Sequence, residues 1–424
     1  MNKIFITVLS CLCLLSSTSA QDQAKVETID RIEILEKENK TQNEAIKKLQ
    51  KLKVSGYIQG QYQWGQEDAS LKIGTANENP EKSFNRIGIR RGRIKFTYEE
   101  GIASAVFQLD VTEKGIGFKD AYLNIKNPWL KTNSLKVGIF DRPFGNEISY
   151  SSSKRESPER STIFQTLFPE ERDLGAMITL QAKKESPLNF LKLEAGLFAG
   201  NGIKQETDSR KDFIGHLSAN KDFNNFQVSG GISYYNGGVY QGTDNVYKMN
   251  GKSFVLDNNN NNNNGGFAKR EYIGLDAQIS FKSILGTTQL RGEYLFGEQP
   301  GGASSSKSPN SSSLSSSDTY IRKFSGGYVI LVQDLGKSPF AAVLKYDWYD
   351  PNTKVAKNEV GLNNTTKGDI AKNTLGFGML WNINTSIRLQ AYYEINNNEK
   401  TDNLTAYNGN RKDNVLTVRM QYKF

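Results

Sequence analysis

From residue 53 to the C-terminus, apolar and polar residues alternate in short segments separated by turns. This alternation has the period of a β-strand whose two faces meet different surroundings. The segments are residues 53–64, 83–98, 102–112, 118–127, 134–142, 173–183, 189–199, 211–222, 226–236, 270–282, 287–297, 319–333, 339–349, 373–382, 385–396 and 413–424. Each reaches or exceeds the roughly 9–11 residues that a tilted strand needs to cross a bilayer.

The connections between these segments alternate in length. Those after even-numbered segments are short, such as 99–101 and 383–384, whereas those after odd-numbered segments are mostly long, such as 65–82 and 237–269. Short turns on one side and long loops on the other are typical of outer-membrane β-barrels. The sequence therefore predicts an all-β fold: a 16-stranded antiparallel transmembrane β-barrel over residues 53–424, with both of its ends on the short-turn, periplasmic side.

The first residues and the composition agree with an exported barrel. Residues 1–20 have the pattern of a signal peptide, with Lys3 before a short apolar run and small residues before Gln21. Because Cys11 and Cys13 both lie inside it, the mature chain has no disulfide and no thiolate metal site. A mean hydropathy of −0.57 with 19 Tyr and 22 Phe suits a barrel in which alternate residues face lipid. A secreted β-sandwich or β-helix is the soluble alternative, and the turn pattern argues against it.

Residues 21–52 are predicted to form a separate periplasmic segment. Residues 26–53 are highly charged and predict a helix with a short coiled-coil seam. Heptad positions a and d hold Ile32, Leu35, Asn39, Gln42, Ile46 and Leu49. Polar residues midway along the seam weaken it. The segment is therefore either a short trimerisation stalk or a loosely ordered amphipathic linker.

Charged residues on the strands follow one parity. A charge facing lipid costs about 2–4 kcal/mol, so the polar set of each strand should face the lumen. On the second strand this places Arg91, Arg93 and Lys95 inside as a ladder, with neighbours about 7 Å apart. The same rule predicts further inward cations at Lys126, Lys136, Arg142 and Arg419. Ladders of Arg and Lys select anions in pores. For a single cation, an ion pair that braces the wall is the alternative.

The connection at 143–172 differs from the other long loops because it combines cations with aromatic residues. The cations predicted to face the passage are Lys154, Arg155, Arg160 and Arg172. The aromatic residues are Phe144, Tyr150, Phe164 and Phe168. A loop this long inside a compact domain is usually functional or disordered, and its aromatic residues argue against disorder. We expect a basic loop that folds into the barrel and narrows it. A solvated surface lid is the alternative.

Other features carry less weight. The low-complexity stretches at 258–264, 301–318 and 350–372 predict mobile extracellular tips, to which no site is assigned. The single histidine, His216, lies on an alternating strand, and no Ser or carboxylate pair is expected near it. No catalytic residue, metal site or cofactor is predicted. The formal charge of +9 favours anionic partners, but the export signal and barrel pattern argue against nucleic acid.

Six motifs occur in an order that resembles the phosphate-selective porin O/P family. They are RRGRIKF (90–96), FKDAYLNI (118–125), LKVGIFDRPFGNE (135–147), SSSKRESPERS (151–161), ERDLGAMI (171–178) and GLFAGNG (196–202). The resemblance is close over residues 53–202 and thin thereafter. It implies trimeric sixteen-stranded channels in which a third long loop folds inward and arginine ladders guide oxyanions. By position, Arg91 and Arg93 match the start of the ladder strand, and 143–172 matches the constriction loop.

These observations predict a passive outer-membrane channel for small anions, with phosphate or other oxyanions favoured. We expect it to lie in outer-membrane lipid as a homotrimer and not to be an enzyme. Because the long loops are rich in Asn, Ser and Gly rather than Lys, a non-selective porin for small solutes is one alternative. Another is a plugged barrel that serves surface binding or adhesion, and a third is an outer-membrane enzyme.

Overall fold

The computed structural model describes residue 28 and residues 30–257 and 263–424. The predicted signal peptide and most of the asparagine run at 258–264 lie outside these described residues. The chain divides into two units, Met1–Lys53 and Val54–Phe424. In the first unit, residues 30–50 form helix α1. Its side chains are exposed, including those at the apolar seam positions. No helix of the described chain is long and apolar enough to span a membrane.

The second unit is a closed antiparallel β-barrel, as predicted. Its strands are β1 (Leu52–Gly65), β2 (Phe84–Glu100), β3 (Ala103–Thr112), β4 (Gly115–Lys126), β5 (Ser134–Asp141), β6 (Arg172–Gln181), β7 (Leu191–Phe198), β8 (Asp212–Asp222), β9 (Phe226–Tyr240), β12 (Phe267–Ser283), β13 (Gly286–Gly301), β14 (Thr319–Asp334), β15 (Phe340–Asp350), β16 (Lys372–Asn382), β17 (Ile387–Asn398) and β18 (Val415–Lys423). Pairing of β1 with β18 closes the ring. A small hairpin, β10 (Val246–Asn250) and β11 (Ser253–Leu256), lies in the loop between β9 and β12.

Alternation along each strand separates the inner face from the outer face. On β18, Arg419 and Gln421 are buried inside, whereas Val418, Met420 and Tyr422 are exposed on the outside. The exposed set is apolar, as expected for a face in contact with hydrocarbon, and the buried set can pair across the lumen. The parity rule is therefore confirmed on this strand.

The third loop, defined as residues 142–171 between β5 and β6, folds into the barrel as predicted. It contains a short helix, α2 (Thr162–Leu167). The aromatic residues Phe144, Phe164 and Phe168 are fully buried. The Phe168 ring lies 5.6 Å from Tyr272 on β12, and the Phe164 ring lies 6.2 Å from Tyr328 on β14. Aromatic contacts of this kind add to the burial of apolar area, so the apolar side of the loop is fixed to one wall.

The sixth loop, defined as residues 302–318 between β13 and β14, also turns inward. The backbone N–H of Ser308 donates to the carbonyl of Thr166 in the third loop at 3.0 Å. The Ser308 hydroxyl accepts from Arg270 at 2.8 Å, and the Asn310 amide donates to Glu170 at 2.9 Å. The prediction of a mobile tip does not describe this loop, because its polar groups are used in contacts inside the barrel.

The seventh loop, residues 351–371 between β15 and β16, differs from its prediction in the same way. It has two 3-10 turns, Lys357–Glu359 and Lys367–Asp369, and it buries a small apolar cluster around Val360 and Ile370. Asp369 forms a fully buried ion pair with Arg322 of β14 at 2.8 Å. A few apolar residues and one buried pair are thus enough to order a segment whose composition is largely polar.

Candidate functional site

The third loop separates two chambers of the lumen. The short-turn chamber is lined by residues at the start of β1, by Lys423 at the end of β18 and by the loop segment 148–153, and has a volume of about 320 Å³. The loop-side chamber is lined by Asp68, Lys72 and other loop residues, and has a volume of about 370 Å³. Arg160 of the third loop lines both chambers. A solute that crosses the barrel along these chambers would pass this residue.

Carboxylates of the third loop bind cations of the surrounding wall. Glu147 lies 3.1 Å from Lys345 on β15, and Glu156 pairs with Arg291 on β13. Within 142–172 the five cations are matched by Glu147, Glu156, Glu159, Glu170 and Glu171. The description of this loop as basic is therefore wrong. Its charges are balanced over 142–172, and the pairs of Glu147 and Glu156 fasten the loop to β15 and β13, which neighbour the strands of its aromatic anchor.

The predicted arginines are mostly buried and paired rather than open to the passage. Their closest carboxylate contacts are Arg91–Glu159 at 2.8 Å, Arg93–Asp110 at 3.6 Å, Arg142–Asp173 at 3.1 Å, Arg160–Glu171, Arg172–Asp120 at 2.9 Å and Arg419–Glu159 at 3.1 Å. Pairing of this kind was the alternative for isolated cations. It also applies to Arg91 and Arg93 of the ladder, because the third loop and β3 supply carboxylates that lie far from them in sequence.

Two of these carboxylates are held in their charged form. Burial alone would raise the pKa of Glu159, but Arg90, Arg91 and Arg419 outweigh it and hold the pKa well below the usual range. Burial likewise opposes ionisation of Glu171, and Arg160, Lys119 and Arg172 hold its pKa well below the usual range. The charged network that fixes the loop therefore persists at neutral pH.

The lysines of the short-turn chamber are placed differently. Lys95, Lys136 and Lys423 line this chamber, and within the described part of the chain none of them forms an ion pair. Lys136 lies over the rings of Tyr122 and Phe140 at 5.0 and 5.1 Å. The hydroxyls of Ser149 and Ser151–Ser153 line the same space. Ammonium groups beside hydroxyl donors can accept a passing oxyanion without releasing another partner.

Six of the predicted site residues line neither chamber: Arg91, Lys126, Arg142, Lys154, Arg155 and Arg419. Lys126 is exposed at the turn end of β4, and Lys154 is exposed on the third loop. Neither lines the short-turn or the loop-side chamber, so the structure does not bring these side chains to either space. Arg155 is 2 % exposed and lines neither chamber. Its position on an inward loop does not place its side chain in the passage.

Sequence parity missed two cations of the narrow region. Arg90 donates two hydrogen bonds of 2.8 Å to Glu159, although the parity of β2 assigned it to lipid. Lys119 lies 4.0 Å from Glu171. It occupies a β-bulge, because Gln108 pairs with Asp120 and the next residue of β3 pairs with Phe118. Bulges commonly re-aim side chains next to functional sites.

A signal for both irregularities is present in the sequence. On β2, exposed Ile87 and Ile89 are odd-numbered, whereas exposed Phe96 and Tyr98 are even-numbered. The same change of phase occurs on β4, from Ile116 and Phe118 to Leu123 and Ile125. A shift of the apolar set by one position within a strand indicates an extra residue between the two runs.

The mouth of the loop-side chamber carries a further group of cations. A cleft of about 420 Å³ is lined by Lys72, Lys307, Lys367 and Lys372, together with Ser304–Ser306 of the sixth loop. Among the described residues that line it, none is a carboxylate. The adjoining loop-side chamber is mixed, with carboxylates such as Asp347 and Glu394 among its lining residues. The long-loop side thus presents lysines first and mixed charge further in.

His216 has a partner that was not expected. Its Nε2 lies 2.9 Å from Asp276 Oδ2 on β12, two strands away. Both side chains belong to the barrel wall, where such a pair joins neighbouring strands. In the described part of the chain, no group of three or more His, Cys, Asp and Glu residues could hold a metal ion.

The barrel is similar to solved outer-membrane proteins. Pseudomonas putida OprB matches with a TM-score of 0.55 and 9% identity over 91% of this chain and 96% of that chain. The outer membrane channel DcaP of Acinetobacter baumannii matches with a TM-score of 0.51 and 14% identity over 88% and 97%. Vibrio cholerae OmpT, in a trimer form, matches with a TM-score of 0.50 and 9% identity over 88% and 99%. The chain has the porin fold.

These similarities concern the fold alone, because the identities are low. No protein-family model matches the sequence, and no curated protein matches it. The resemblance of the motifs between 90 and 202 to the phosphate-selective porin O/P family therefore stays a prediction.

Proposed function

We propose that this protein is a passive outer-membrane channel that prefers small anions, with phosphate and other oxyanions favoured. The observation that carries the proposal is a set of lysines, Lys95, Lys136 and Lys423, that form no ion pair with the described residues and lie beside serine hydroxyls in the short-turn chamber. Permeation needs several weak sites, since an ion must leave as well as enter. Lysines that are free of carboxylate partners meet this need better than the buried arginines, which serve to position the third loop.

The lysine cleft at the loop side supports the same preference. Its four ammonium groups would raise the local concentration of anions at the entrance. The predicted narrow region between the chambers is lined by paired charges, whose net field is small. Selection would therefore arise mainly in the two lysine-lined spaces on either side of it.

The test is a reversal-potential measurement on the purified protein in planar bilayers with a KCl gradient. We expect single-channel steps and a reversal potential of the sign given by anion preference. Replacing Lys95, Lys136 and Lys423 together with Gln should reduce that preference at least about twofold, because each removed charge lowers the anion concentration in the chamber. Phosphate added at constant ionic strength should reduce the chloride current.

The matched control is Lys126→Gln, which removes an exposed lysine outside both chambers. It should leave the reversal potential unchanged. Cation preference of the wild-type channel would refute the proposal. An equal effect of Lys126→Gln and of the triple substitution would show that total charge, rather than the chamber lysines, sets the preference.

A plugged barrel used for surface binding is the second candidate. It is favoured by the contact between the third and sixth loops, Ser308 to Thr166, which places two loops across the lumen. The same bilayer experiment decides between them. A folded protein that inserts and gives no conductance steps would support the plugged barrel.

The proposed location is the outer membrane of a Gram-negative cell, with α1 in the periplasm and the apolar outer face of the barrel in lipid. The proposed assembly is a homotrimer. The trimer form of Vibrio cholerae OmpT supports it at the level of the fold, and the exposed seam of α1 offers a second contact between copies.

A further inference from the structure

Arg155 is a buried cation to which the described chain supplies no partner. The residue is 2 % exposed. The Nε, Nη1 and Nη2 atoms are all buried, and none donates a hydrogen bond to a described residue. The backbone around it is fixed, because the carbonyls of Lys154 and Arg155 accept from Arg388 at 3.1 and 3.0 Å. These contacts hold the backbone at Arg155 against β17.

The charges around Arg155 do not compensate it. The carboxylates that act on it most strongly are Glu159 and Glu147, and both have other partners. Glu159 accepts from Arg90, Arg91 and Arg419. Glu147 accepts from Lys345 at 3.1 Å and from the backbone N–H of Ser161.

Other cations add to the imbalance. After burial, the charges of Arg160 and Arg91 contribute most to lowering the pKa of Arg155 well below its usual value. On β1, which faces the same part of the loop, the buried Nε2 of Gln61 is also without an acceptor in the described chain. The region thus has an excess of buried donors and of positive charge. An uncompensated buried cation is strongly unfavourable.

We propose that the guanidinium of Arg155 holds one small inorganic anion, of the size of chloride, enclosed between the third loop and the barrel wall. Such an anion accepts hydrogen bonds from the guanidinium fork and neutralises its charge. This structural anion stabilises the position of the third loop. It is separate from the permeation route, since Arg155 lines neither chamber. Its chemistry is that of a halide or another compact monovalent anion, because the site is closed to solvent.

The test compares the thermal unfolding of the full-length protein in sodium bromide and in sodium gluconate at equal ionic strength. Gluconate is too large to enter a closed site. We expect the unfolding midpoint to be higher in bromide by about 4 °C at saturating concentration, with a hyperbolic dependence on bromide. Crystals grown in bromide should give an anomalous peak within hydrogen-bond distance of the Arg155 guanidinium.

The variants are Arg155→Met, which removes charge and donors while keeping much of the volume, and Arg155→Lys, which keeps the charge but loses the fork. Arg155→Met should abolish the difference between bromide and gluconate, and Arg155→Lys should reduce it. Lys154→Met is the matched control, because Lys154 is the exposed neighbouring cation on the same loop. It should keep the full difference.

No bromide peak at Arg155, or an equal midpoint in the two salts for the wild-type protein, would overturn the proposal and leave water as the partner of the guanidinium. Both measurements are made on the wild-type protein, so they test the proposal even if a variant fails to fold. They report the thermal stability of the protein and the position of a bound anion, whereas the proposed function is tested by the reversal potential. Either proposal can therefore fail without the other.

Discussion

Glu159 is the residue on which the position of the third loop depends most. It accepts hydrogen bonds from Arg90 and Arg91 of β2 and from Arg419 of β18. One carboxylate of the loop thereby joins two neighbouring regions of the wall. The sequence predicted that Arg91 and Arg419 face inward, but it missed Arg90 and this role of Glu159, which lies more than sixty residues from each of them along the chain.

Replacing Glu159 with Gln should destabilise the protein by about 3 kcal/mol, because it leaves the buried guanidinium groups of Arg91 and Arg419 and the partly buried one of Arg90 without this counter-charge. The pKa of Glu159 is held well below its usual range despite burial. Since the folded pKa is lower than the unfolded one, this stabilisation is fully present above the unfolded pKa and is lost as pH falls through the folded value. The difference in unfolding free energy between wild type and Glu159→Gln should therefore stay constant from pH 7 to about pH 5 and shrink only at lower pH.

The control for this prediction is Glu78→Gln. Glu78 forms an exposed pair with Arg86 at 2.6 Å in the first loop. An exposed pair of this kind contributes little, so the variant should unfold like wild type at every pH. A Glu159→Gln protein as stable as wild type at pH 7 would contradict the account of the loop.

At the scale of elements, the strands and the inward third loop were predictable and their irregularities were not. The period of two in β18 is enough to separate Arg419 from Val418. It fails at β2 and β4, where Arg90 and Lys119 enter the lumen out of phase. A parity rule assumes an uninterrupted ladder, and a single bulge reverses every assignment beyond it. The apolar residues of β2 and β4 change parity at the same place, but this change becomes apparent only when the two halves of each strand are compared.

The sixth loop was not predictable for a different reason. Its Gly and Ser residues carry no apolar periodicity, so no pattern indicates a buried position. Its contacts depend on partners from distant segments, such as Arg270 for Ser308 and Glu170 for Asn310. The ion pairs of the buried arginines could not be predicted for the same reason. Pairs between segments that are distant in sequence become apparent only when the fold is known.

Helix α1 is the element through which trimer formation can be tested. Ile32 and Ile46 occupy seam position a and are exposed in the single chain. If copies associate along this seam, Ile46→Lys should lower the stability of the trimer on gels run without heating, because it places a charge in the packed interface. Ile34 is equally apolar and exposed but lies off the seam, so Ile34→Lys is the matched control. Equal mobility of the two variants would argue against a seam, and loss of the trimer in both would indicate a general effect of charge.

On the scale of the whole molecule, charge is distributed unevenly along the lumen. The short-turn chamber is lined by six cations and two carboxylates, whereas the loop-side chamber is lined by four cations and five carboxylates. Arg160 lies where the two regions meet. The lumen thus has a positive region on the short-turn side and a mixed region, behind a lysine-lined entrance, on the long-loop side.

This arrangement should make the conductance depend on the sign of the voltage. With the long-loop side held positive, anions enter through the basic chamber and cations through the mixed one, so both accumulate and the current is larger. The opposite polarity depletes both and lowers the current. The orientation of each inserted molecule can be determined with a cysteine introduced at Ser312, an exposed position of the sixth loop, because the two cysteines of the sequence, Cys11 and Cys13, both lie in the predicted signal peptide. A thiol reagent added to one compartment then reports which side carries the loops.

Reversing the charge of Lys95, Lys136 and Lys423 with Glu should reverse the asymmetry, while Lys126→Glu should not. A symmetric current–voltage curve for the wild-type channel would show that the permeating ions do not sample the difference between the two chambers.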